Sequence, residues 1–115
     1  MYTIKVIQGP KTLFFDEKNG REMESIISIN GDTKINGIEI WLNAEESPKG
    51  SNISFKNESN KEFKLKDSWD ISTHDIDIEQ DIYDILEKLA YATLYDELGK
   101  EGDEFTSEEV LEWDY

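Results

Sequence analysis

Apolar and polar residues alternate with a period of two through residues 2–65 and then change to a period near 3.6, so a strand-forming part precedes a helix-forming part. Tyr2, Ile4 and Val6 share one face, Gly9-Pro10 interrupts the run, and Leu13 with Phe15 resumes it, which predicts a first hairpin. After the polar turn Glu17-Lys18-Asn19-Gly20, the Ile-rich segment Met23 to Ile29 leads through Asn30-Gly31-Asp32 into Ile38, Ile40 and Leu42. Asn-Gly tolerates the positive φ angles that tight hairpin turns require, so a second hairpin is expected there. Residues 44–51 contain Glu45, Glu46, Pro48 and Gly50 without apolar periodicity and read as a surface loop. Ile53 and Phe55, the polar turn at 57–60, then Phe63 and Leu65 predict a third hairpin, with Lys56, Lys64 and Lys66 on the opposite, solvated side.

From Asp77 to Leu98, Ile78, Ile82, Ile85, Leu86, Leu89 and Thr93 fall within one stripe at helical spacing, and Gly99 follows as a stop signal. Thr106 with Glu109 three residues on has the capping-box pattern of a further helix start, with Val110, Leu111 and Trp113 as apolar anchors. The fold class implied is α+β. An antiparallel β-meander of five or six strands (1–67) would be packed on one face by a long C-terminal amphipathic helix (77–98), with a short final helix. The length, 115 residues, suits a single domain, with 68–115 as its acidic helical part.

Charge adds the main functional signal. The formal net charge is −15, and it is unevenly placed. Residues 1–67 hold 11 acidic and 10 basic residues, whereas 68–115 hold 16 acidic residues and two lysines. Such a field repels nucleic acid and anionic membranes and speeds association with basic surfaces. With no cysteine, disulfides and thiolate metal sites are excluded. Met1 to Ile7 alternates rather than running apolar as a leader requires, and no stretch reaches the length of a membrane helix, so a cytoplasmic protein starting near Met1 is expected.

Familiar chemistry is not written in the sequence. Asp75 to Asp81 resembles the start of a calcium loop, but Gln80 stands where the loop needs glycine and Leu86 where it needs a bidentate glutamate. His74 is the single histidine, so no imidazole cluster can bind zinc or iron. No phosphate-binding glycine loop, nucleophile elbow or dinucleotide fingerprint occurs, and the many acids single out no catalytic pair. Neither catalysis nor a cofactor is expected.

The expected interaction surface combines acids with aromatic rings. On a helix, Asp77, Asp81 and Asp84 lie on the side away from the Ile/Leu stripe, and Tyr91 and Tyr95 continue that side. Glu108, Glu112, Trp113 and Asp114 extend it into the C-terminal segment. Carboxylates one helical turn apart stand about 5–6 Å from one another, close to the spacing of successive phosphates. Aromatic residues framed by acids suit recognition of Arg and Lys. For Trp41 and Trp69, closing the rim of a small core is an equal expectation. In charge and size the chain is similar to small acidic inhibitors that occupy the nucleic-acid-binding surface of another protein, such as anti-CRISPR and antirestriction proteins and uracil-glycosylase inhibitors. An immunity protein that neutralises a basic toxin, such as a nuclease, fits the same features. The partner implied in either case is a basic protein, a nucleic-acid-binding effector or a toxin, rather than nucleic acid itself.

Overall fold

Side chains that alternate across a strand give one face to solvent and the other to a core, and the first half of the chain uses this to build an antiparallel sheet. The structure, a computed structural model, describes residues 2–31, 36–57, 62–64 and 80–115. Its elements are β1 (Thr3–Asp16), β2 (Gly20–Asn30), β3 (Asn36–Ser47), β4 (Gly50–Asn57), β5 (Glu62–Lys64), α1 (Gln80–Leu94), β6 (Glu104–Thr106) and α2 (Ser107–Leu111). The sheet order is β5-β4-β3-β2-β1-β6, every pair antiparallel.

The expected architecture, a meander closed by a long C-terminal amphipathic helix over 77–98, is not the one formed. Helical structure among the described residues consists of two short helices, α1 of 15 residues and α2 of 5. Between them the chain returns to the sheet as β6, which pairs with β1 at Thr3↔Thr106, Ile4↔Phe105 and Lys5↔Glu104. Asp96 ends the helix well before Gly99 by adopting φ 57°. There Glu97 N–H donates to Ala92 O at 2.8 Å and Asp96 N–H to Thr93 O at 3.1 Å, the bond pair of a Schellman motif. Sequence reasoning favoured the glycine as the stop, but an aspartate can also take the left-handed conformation.

Two further boundaries differ from expectation. Gly9-Pro10 does not turn the chain. β1 runs through it, with register shifts against β2 between Val6 and Gln8 and between Gln8 and Lys11. Proline is tolerated there because a bulge on an outer strand needs no ladder donor from it. The turn falls instead at residues 17–19, where the Asp16 carboxylate accepts from the Lys18 backbone N–H at 2.8 Å and from Asn19 Nδ2 at 3.0 Å. Gly20 has φ 109° and lies so close to β3 that a Cβ there would sit 1.8 Å from Glu46 O. Residues 44–51 are not a loop, since β3 continues to Ser47 and β4 starts at Gly50 around the Pro48-Lys49 turn. The alternation was hidden because the inward residue opposite Ile53 is the small Ala44. In the third hairpin Phe55 pairs with Phe63, while its turn at 58–61 and Leu65 lie outside the described residues.

The core sits between the sheet and α1. Ile4, Val6, Ile27, Ile29, Ile40, Leu42, Ala44, Ile53 and Phe55 from the sheet join Ile85, Leu86, Leu89, Ala90, Ala92 and Leu94 from α1, with Leu98 and Val110 beyond it. Thr93, expected in the apolar stripe, is fully buried with its hydroxyl 2.9 Å from Leu89 O and 3.0 Å from the Ser25 hydroxyl. The Thr93 and Ser25 hydroxyls therefore each have a partner, as burial demands. Thr106 caps α2 with the capping box read from the sequence, its side chain accepting from Glu109 N–H at 3.2 Å while Glu109 Oε1 accepts from Thr106 N–H at 3.2 Å. Of the expected anchors Val110 is buried, but Leu111 is 40% exposed and does not serve as one. No helix among the described residues is long and apolar enough to cross a membrane.

Two substitutions test this packing. Leu89→Ala should lower stability by about 2–5 kcal/mol, because a fully buried side chain leaves a cavity. Asp96→Gly should raise stability by about 1 kcal/mol by relieving the left-handed conformation at the helix end. Denaturant midpoints measured at equilibrium check both.

Candidate aromatic and acidic binding surface

α1 is buried on more than a stripe. Ile85, Leu86, Leu89, Ala90, Ala92, Thr93 and Leu94 are buried, and Asp84, Glu87, Lys88 and Tyr91 are half-buried along its outer side. The C-terminal segment reaches that side, where Lys88 Nζ donates to the Trp113 carbonyl. Lys88 thus ties the end of the chain to the helix.

The residues expected to form one acidic and aromatic face are separated. Asp77 lies outside the described residues, as do the calcium-loop residues 75–79, His74 and Trp69, and of Asp81 the backbone alone is described. Asp84 and Tyr91 do share the outer side of α1, but Tyr91 packs against the core. Glu108, exposed, lies in the first turn of α2, where a carboxylate complements the helix dipole. Glu112 and Asp114 are exposed. Trp41 is half-buried in β3 opposite Ile26 and Lys56, on the sheet face away from the inward Ile40 and Leu42.

Tyr95, Trp113 and Asp114 do come together, with partners the sequence analysis did not select. Tyr95 stacks on Tyr115 with ring centroids 6.1 Å apart and planes 11° from parallel. Trp113, half-buried and packed on the core as Tyr91 is, meets Tyr115 edge-on at 6.1 Å and Phe105 of β6 at 5.1 Å. Glu97, Trp113, Asp114 and Tyr115 line an open groove of about 490 Å³. Tyr95 also meets a cation, the Arg21 guanidinium, 6.0 Å from its ring centroid. Tyr115 alternates with the acids of Glu112-Trp113-Asp114-Tyr115, a local signal that extends the reading of Trp113. Glu97 and Arg21 carry no such signal, because only the helix end and the β1–β2 turn bring them here.

Chemically this groove suits a cation. Aromatic faces attract a guanidinium or ammonium group through the ring quadrupole, and carboxylates beside them supply full charges. From residue 95 to 115 the chain holds nine acids and one lysine. Among the described residues no group of three or more His, Asp or Glu is arranged to hold a metal ion.

No protein-family model matches the chain, and neither a curated protein nor a solved structure shows significant similarity to it.

The groove has a titration signature. Burial, hydrogen bonding to Glu97 and the Glu97 charge hold the Tyr115 phenol above the ordinary tyrosine value of 10.0. A raised value means that the contribution of this contact to stability is fully present below about pH 10 and is lost as pH rises through the Tyr115 value. Replacing Glu97 with glutamine should bring the Tyr115 ionisation back toward the ordinary value, which absorbance at the tyrosinate band, compared with a Tyr115→Phe control, will detect.

Proposed function

We propose that the protein is a small acidic binding protein that occupies the basic, nucleic-acid-binding surface of a target protein, with the groove around Trp113 and Tyr115 as its anchor. The observation that carries this reading is the meeting of partly exposed aromatic rings with the most acidic stretch of the chain. Either feature alone has a bland explanation, since acids solubilise and aromatic rings close small cores. Together they supply the two parts of a hot spot for Arg or Lys, a desolvated ring face and complementary charge. Asp84, Glu108, Glu112 and Asp114 then act mainly by steering, raising the rate of encounter, and the rings retain the partner once docked.

Affinity capture from a cell lysate followed by competition with duplex DNA tests the proposal. A captured basic protein that DNA displaces supports it. Capture that is insensitive to both DNA and salt contradicts it. With such a partner, reversing Glu112 and Asp114 to lysine should weaken binding about tenfold or more at low salt and flatten its salt dependence, while stability moves by less than about 0.5 kcal/mol per exposed site. Tyr115→Ala should act mainly on the dissociation rate, which surface plasmon resonance separates from association.

A further inference from the structure

We infer that the side chain the C-terminal groove takes from a partner is an arginine, its guanidinium laid against the exposed Tyr115 ring and forked to the Glu97 carboxylate, with lysine a poor substitute. This rests on the groove being the partner's anchor, as proposed above, and adds which cation it selects.

The chain sorts its own cations in this way. Of its twelve basic residues Arg21 is the single arginine. That one guanidinium stands 6.0 Å from the centroid of Tyr95, the ring stacked on Tyr115. Hydrogen bonding does not account for its place, because Arg21 Nε is buried without a hydrogen-bond partner and Glu46 Oε1, at 4.0 Å, is too far to accept from it. The ring face is the contact that remains, and it suits a planar, weakly hydrated cation that can stack. Lys88, which reaches the same C-terminal segment, donates instead to the Trp113 carbonyl.

The groove offers a partner the same ring surface and adds a carboxylate. Tyr95 and Tyr115 are 44% and 39% exposed. The Tyr115 hydroxyl donates to Glu97, which steadies that carboxylate at the groove wall and leaves it further lone pairs to accept from outside. A carboxylate held in place matches the rigid fork of a guanidinium, which binds it through two parallel N–H bonds. An ammonium group is a point charge on a flexible stem, and it gains little from a fixed acceptor. Asp114, exposed on the same wall, adds charge for either cation and does not discriminate between them.

Fluorescence anisotropy of two labelled peptides titrated with the full chain tests this. One alternates glycine with arginine, and its twin carries lysine at the same positions, so length and charge are equal. At low salt the arginine peptide should bind about tenfold more tightly or better. Glu97→Gln and Tyr115→Leu should each reduce that preference to less than about threefold, whereas Glu45→Gln, which removes an exposed acid that does not line the groove, should leave it intact. Glu97 is exposed and glutamine keeps its shape, so this variant should retain the parent melting curve and stay interpretable if Tyr115→Leu folds poorly. Equal affinities for the two peptides, both weakened by the groove variants, overturn the arginine preference and leave the groove standing as an anchor for basic partners. Binding that is indifferent to both groove variants, or no binding of either peptide, overturns the inference together with the docking proposed at the groove.

Discussion

The short ladder between β6 and the start of β1 positions everything at the C-terminal end. Three residue pairs form it, and bonds on either side extend it: Ser107 N–H donates to Tyr2 O at 2.8 Å, Tyr2 N–H to Ser107 Oγ at 3.0 Å, and Val6 N–H to Asp103 O at 2.8 Å. Each bond contributes only about 1 kcal/mol net. Their effect is larger than that figure because they fix the direction in which the last residues leave the sheet. Phe105 in the ladder then meets the Trp113 ring, and Trp113 in turn holds Tyr115 near Tyr95. Without the ladder, α2 would have two buried residues, Ser107 and Val110, and little else to seat it.

A second constraint acts on the other side of the sheet strands that the ladder extends. An antiparallel sheet with Ile27, Leu42 and Phe55 on one face must cover that face, and α1 does so with Ile85, Leu86 and Leu89. Covering it takes most of the circumference of the helix, because the C-terminal segment packs on the helix as well. The acidic outer side is consequently narrower than a helical wheel suggests, and the centre of the acidic and aromatic surface moves from the helix to its end.

Much of the strand part was legible because its signals are local. The Ile-rich alternation of β2 and the Glu17–Gly20 turn could be read directly, and so could the Thr106 capping box. The failures have specific physical causes. Pro10 sits in a bulged outer strand where a lost donor costs nothing, Ala44 is too small to register as an inward residue, and Asp96 ends the helix where glycine was expected. β6 is too short, at 3 residues, to have any periodicity of its own. Of the candidate surface, acids and rings at the C-terminus were visible as an interleaved run, but Tyr91 and Trp113 were both assigned to the surface although each is half-buried and also packs on the core. Glu97 and Arg21 were invisible because tertiary structure alone makes them neighbours of Tyr115 and Tyr95.

The proposed function puts partner docking at the end of the chain rather than on the helix face or the sheet. Hydrogen–deuterium exchange of the protein alone and saturated with its captured partner reads this residue by residue. Slowed exchange concentrated at residues 95–98 and 112–115 is the predicted result. Slowing confined to β3 and β4, with those two segments unchanged, would contradict it.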